Sequence, residues 1–121
     1  MSQSAISIQV ANVIGNVYAV EADEGQKVYE LIKKAFDENR KVVLSFLNIE
    51  MMTTAFLNTA IGQLYKDFSE EEIRDFLSVE NISDSGIAIL KRVVDTAKLY
   101  YKDPDNFKRM QESINEILNQ Q

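Results

Sequence analysis

Thr53 and Thr54 stand where strand-like spacing gives way to helical spacing, and hydroxyls heading a helix are the best-placed chemical groups of this chain. The first backbone N–H groups of a helix have no partner within it and point outward. An anion, a phosphoryl group or a partner's acidic side chain is therefore favoured there. Ala55, Asn58, Thr59 and Gly62 follow on a face of small and amide side chains, which a close-fitting protein surface suits. Gly62 in mid-helix costs about 1 kcal/mol relative to Ala, and either such a partner or the domain's own neighbouring helix or loop has to offset it. A plainer reading makes one threonine the N-cap, worth about 1 kcal/mol. Met51 and Met52 supply either an adaptable apolar contact for a partner or a plug at the edge of the core.

The chain has neither Cys nor His. That removes disulfides, thiolate chemistry, the commonest general base and the best transition-metal ligands together. Catalysis would rest on carboxylates, Lys or Tyr. The acidic groups at Glu21 to Glu24 and Glu70 to Glu72 sit at helix starts, where negative charge is stabilising in itself. Asp103 and Asp105 lack the further ligands of a calcium loop and read as caps. No cofactor, no metal and no enzymatic activity are expected.

The elements that position the threonines follow from periodicity. Val42, Val43, Leu44, Phe46 and Leu47 form an apolar run of the kind found in a strand covered on both faces. Phe56, Leu57, Ala60, Ile61, Leu64 and Phe68 then lie at helical spacing. Upstream, Ile6, Ile8 and Val10 alternate as a first strand, and a turn at Gly15-Asn16 leads to Val17 to Val20, so a hairpin is expected. Asp23 and Gln26 resemble a capping box for a helix whose stripe is Val28, Leu31, Ile32, Ala35 and Phe36, ending near Asn39. Downstream, Ser69 caps a short helix with a staple between Phe68 and Ile73, Leu77 to Ile82 reads as a strand, and Ser83 caps a helix. Its stripe is Ile87, Leu90, Val94, Ala97 and Tyr101. Pro104 opens a last helix over 103–120, whose Phe107, Met110, Ile114 and Ile117 have heptad-like spacing. That helix either folds back or forms a homodimer with a second chain. Strands alternating with helices make this an α/β protein with a mixed sheet of four to five strands.

The apolar strand, the short loop, the segment Met52-Thr53-Thr54-Ala55-Phe56-Leu57 and the amphipathic helix together resemble the STAS fold of anti-sigma factor antagonists. The run Phe56 to Tyr65 is most similar to the STAS-like domain family of unknown function, and the order of elements matches over residues 5 to 101. In the STAS regulators the loop carries a Ser, in a pattern close to Asp-Ser-Ser-Gly, that a partner kinase phosphorylates to break the complex. Laid over this chain, the pattern puts Thr53 at the Asp, Thr54 at the first Ser, Ala55 at the second and Phe56 at the Gly. The usual acceptor position is thus Ala55, which cannot be phosphorylated. Either a neighbouring threonine substitutes or the switch is absent.

At 121 residues this is one domain, a core over 1–101 plus the last helix. A net charge of −6 without a basic stripe argues against nucleic-acid binding. No apolar run approaches the roughly 20 residues that span a bilayer, and the start Met-Ser-Gln-Ser lacks a signal pattern, so no membrane partner and a cytoplasmic location are expected. The resulting expectation is a regulatory module that binds a protein, and the resemblance implies an ATPase of the histidine-kinase-like class. The alternative is a sensor that holds a nucleotide or other small ligand at the Thr53 to Ala55 helix start.

Overall fold

A computed structural model describes residues 5–102, together with 112 and 115. The expected helix over 103–120 lies, apart from those two positions, outside the described residues. The elements run β1 (Ile6–Gln9), α1 (Val10–Ile14), β2 (Tyr18–Ala19), α2 (Ala22–Asp37), β3 (Val42–Ser45), β4 (Met51–Met52) and α3 (Thr54–Leu57). A π-helical turn (Asn58–Gly62), α4 (Leu64–Asp67), α5 (Glu70–Phe76), β5 (Leu77–Glu80) and α6 (Asp84–Lys102) complete the chain.

The α/β class and the central place of the Val42 strand are as expected, but the five strands among the described residues form two sheets rather than one. β3 lies between β1 and β5 in a three-stranded sheet, and β2 pairs with β4 alone. Both sheets are parallel, with Ile6 opposite Val42, Val42 opposite Leu77, and Tyr18 opposite Met51. The expected hairpin of the first two strands does not form. Val10, Val13 and Ile14 have the i, i+3, i+4 spacing of a helical turn, and that turn takes over where alternation would have continued. Gly15, at φ 74°, ends α1 in the left-handed conformation and donates its N–H to the Ala11 carbonyl.

The described helices pack on one face of the three-stranded sheet. Ile8, Val42 and Leu44 turn inward and are buried, whereas Ser7 and Ser78, flanking half-buried Val43 in register, are exposed on the other face. Reading the Val42 run as covered on both sides is therefore corrected: Leu47, at its end, is 48% exposed. Ser45 is the buried polar residue of the sheet. Its hydroxyl oxygen accepts from Asn81 Nδ2 at 3.0 Å and from the Leu47 N–H at 3.3 Å, so its burial leaves nothing unpaired.

The serine caps form as expected, whereas the Asp23–Gln26 box does not. Ser69 and Ser83 accept from the N–H groups of Glu72 and Gly86, each at 3.1 Å. The Asp23–Gln26 box is absent: α2 starts at Ala22 with Glu21 as a cap that makes no side-chain bond, which places Asp23 and Glu24 inside the first turn. Gln26 is drawn away by Gln63, whose Nε2 donates to Gln26 Oε1 at 3.0 Å. Asn39 at φ 59° stops α2, and Asn48 and Asn81 take the same left-handed conformation after β3 and β5.

Phe36 meets Phe68 and Phe76 edge-on, tying α2 to α5. Tyr29 donates its phenol to Asp67, bridging α2 to α4. Burial, then that bond and the Asp67 charge, push the Tyr29 phenol above its ordinary value, so it stays protonated and acts as a strut.

Candidate functional site

The site grows out of the β2–β4 pair. The Glu50 N–H donates to Val17 at 2.8 Å and the Thr53 N–H to Ala19 at 3.1 Å, so the short ladder carries the chain straight into α3. Thr53 has extended backbone and is the N-cap, its hydroxyl oxygen accepting from the Phe56 N–H at 3.2 Å. The same hydroxyl donates to the Val20 carbonyl at 2.7 Å. Thr53 is thus half-buried and fully engaged, holding the loop after β2 against the start of α3. Thr53→Ala is expected to cost about 1–2 kcal/mol, because a cap is lost and the Val20 carbonyl loses its donor. A urea titration of the variant measures this.

Thr54, Ala55 and Asn58 are exposed, and among the described residues no hydrogen bond occupies the Thr54 hydroxyl. Thr59 is half-buried and donates to the Ala55 carbonyl at 3.1 Å. The helix then widens. Gln63 sends its N–H to Asn58 at 3.0 Å, five residues back, and its side chain donates to the Thr59 carbonyl at 3.0 Å. That side-chain bond serves a carbonyl which the π turn deprives of its ordinary α-helical donor.

Gly62 does not share the surface of Ala55 and Asn58. It is buried, and a Cβ there would lie 3.3 Å from Val93 Cγ1 and 3.7 Å from the Ala97 Cβ of α6. The nearest atom to that Cβ is Asn58 Oδ1 at 2.8 Å, and the domain's own neighbouring helix leaves no room beyond it for a large side chain. Gly25 has the same duty on the other side and was not singled out by its sequence context. A Cβ at Gly25 would stand 2.6 Å from the Phe56 carbonyl oxygen, so α2 crosses α3 at backbone contact. The helix from Thr54 to Asp67 is therefore gripped between α2 and α6, and its apolar stripe of Phe56, Leu57, Ala60, Ile61 and Leu64 is fully enclosed. In α6 the buried residues are Gly86, Val93 and Ala97, not the whole expected stripe. Ile87 is 49% exposed, because the helix presents its small residues to the π turn.

The two methionines divide. Met52 is half-buried, its Sδ and Cε within 2.8 Å of the position a Gly86 Cβ would take, while Met51 is 55% exposed. Tyr18, directly opposite Met51 in the ladder, is 52% exposed. This Tyr18–Met51 pair is the part of the surface that local sequence did not reveal. Two residues of β2 are too few for a periodic signal, and only the register with β4 brings the side chains together.

A groove of about 260 Å³ lies elsewhere, between α4, α5, β5 and α6, lined by Ile61, Tyr65, Val79, Leu90 and Val94 with Glu70, Arg74 and Lys98 at its polar edge. Burial, with Glu70 and Asp95 adding to it, pushes the Tyr65 phenol up. Among the described residues no three Asp or Glu side chains converge as a metal site would require, and no helix is long and apolar enough to cross a membrane. Comparison with curated proteins and with solved structures gives no match. Residues 24–86, from the first turn of α2 through β3, the threonine junction and β5 to the start of α6, match the family described as STAS-like domain of unknown function, and the chain belongs to that family.

Proposed function

We propose that this domain is a non-catalytic regulatory module that binds a protein partner at the junction of the β2–β4 pair with α3. The observation that carries this reading is the exposed Tyr18–Met51 pair, with Met51 three residues ahead of the exposed Thr54 and Ala55 at the start of α3 and Asn58 just after it. Tyr and Met are side-chain types enriched in protein interfaces, and two large apolar groups left side by side in water favour a covering surface. The grip of α2 and α6 on the Thr54–Asp67 helix makes the surface rigid before binding, which lowers the ordering cost of association. An ATPase of the histidine-kinase-like class is the partner suggested by the likeness to anti-sigma factor antagonists.

The test is calorimetric titration of the chain against the histidine-kinase-like ATPase encoded nearest to it in its genome. Ala55→Arg and Asn58→Arg each place a long charged side chain on the exposed face and are expected to lower affinity by about tenfold or more, roughly 1.4 kcal/mol. Unchanged unfolding midpoints in both variants separate lost binding from lost structure. Because Ala55 occupies the usual acceptor position, Thr54→Glu is expected to weaken binding less than either arginine. Full affinity in both arginine variants removes the α3 face from the interface.

A further inference from the structure

Strand β1 is an outer strand of its sheet. The Ile6 N–H donates to the Lys41 carbonyl at 2.8 Å. In a parallel ladder alternate residues address the same neighbour, so Ile6 and Ile8 turn their backbone groups to β3 while Ser7 and Gln9 turn theirs away from it. Among the described residues no strand pairs with that second edge. Edges exposed to water are ordinarily blunted by Lys, Pro or a bulge. Ala5-Ile6-Ser7-Ile8-Gln9 contains no charged residue and no proline.

Beside the edge runs an open groove of about 540 Å³, formed by β1, by Asn12 and Val13 of α1, and by Leu31 of α2. Leu31 belongs to the apolar stripe of α2 by spacing, yet it is 43% exposed, and among the described residues no strand lies beyond β1 to cover it. The lining holds no charged side chain, although 26% of the chain is charged and the net charge is −6. The groove between α4 and α6, by contrast, has Glu70, Arg74 and Lys98 around it. A charged partner finds no complement at β1. A second copy of this acidic chain meets there a lining in which no like charges oppose it.

We infer that β1 and Leu31 form a homodimer interface, with β1 pairing antiparallel to β1 of a second copy across a two-fold axis. The symmetry demands self-complementarity, and an outward-facing residue at the axis supplies it: Ser7 opposite Ser7 exchanges two N–H to carbonyl bonds. That register sets Ile6 opposite Ile8 of the other copy, keeps both helix layers on one side and brings the two Leu31 side chains together. The two three-stranded sheets become one of six. None of the residues involved belongs to the Tyr18, Met51 and α3 face, so the dimer and the partner-binding reading stand or fall separately.

Sedimentation equilibrium of the full chain over a wide concentration range tests this. Wild type is expected to be a dimer. Ser7→Pro removes an outward N–H while leaving the ladder to β3 intact, and proline is tolerated on an edge strand. Leu31→Lys puts a charge into the groove at an exposed position. Both are expected to weaken association by about tenfold or more. Leu31→Lys keeps the test open should Ser7→Pro fail to fold, and far-ultraviolet circular dichroism with a urea midpoint identifies that case. A wild-type chain that is monomeric at every concentration overturns the inference, including one whose β1 edge instead captures a strand of a different protein. So does a dimer that survives Leu31→Lys, since its contact then lies elsewhere, for example in residues 103–121.

Discussion

Gly62→Arg is expected to abolish the cooperative folded state. The position is buried, and the first atom of any side chain there already lies 2.8 Å from Asn58 Oδ1 and 3.3 Å from Val93 Cγ1. Overfilling a packed interior costs about 1–3 kcal/mol for a few extra methylenes, and arginine adds a charge with no partner at that depth. Together these approach the roughly 5–15 kcal/mol by which domains of this kind are stable. Near-ultraviolet circular dichroism and a urea titration measure the effect, and a variant as stable as wild type would place Gly62 away from α6. Gly62→Ala is the informative companion. Asn58 is exposed and can swing aside, so the close contact relaxes at small cost while alanine gains about 1 kcal/mol of helix propensity. The expected change is within about 1 kcal/mol of zero. Gly25→Ala has no such relief, because the atom in its way is the Phe56 carbonyl oxygen of the backbone at 2.6 Å; it is expected to destabilise despite the same gain in propensity.

Phe46→Ala carries the second large effect, an expected loss of about 3–5 kcal/mol. Phe46 is 1% exposed and is among the largest fully buried side chains, and its N–H donates to Glu80 at 3.0 Å just beyond β3. Truncation leaves a void where β3, β5 and the helices meet, and the backbone bond to Glu80 limits how far the strand can move to fill it. Equilibrium unfolding in urea gives the value. A loss below about 1 kcal/mol would be too small for so large a truncation in a packed interior.

What local sequence determined about this protein is the identity of its longer elements. The α2 stripe of Val28, Ile32, Ala35 and Phe36, the apolar Val42 strand, the serine caps at Ser69 and Ser83 and the helix start at Thr53-Thr54 were all legible. In each, the deciding contacts lie within about one or two turns of the chain, where side-chain type and period act directly. Membership of the STAS-like family was legible for the same reason, in the run around Phe56 to Tyr65 that the matched span contains.

Only the tertiary structure decided how those elements share the interior. Val10 fits a strand by alternation and a helical turn by its spacing to Val13 and Ile14, and the parallel pairing of β1 with β3 instead of β2 settles it. Gly62 packs against Val93 and Ala97 side chains of α6 and Gly25 against the Phe56 carbonyl of α3, contacts across gaps of dozens of residues that no window of neighbours encodes. Leu31, Leu47 and Ile87 carry the same apolar signal as residues of the core, yet they are exposed, because which side of an element faces the interior is set by what packs against it. Met51 and Met52 are adjacent and chemically identical; the two-residue pairing with Tyr18 and Ala19 alternates their sides, sending one toward Gly86 and leaving the other in solvent beside Tyr18.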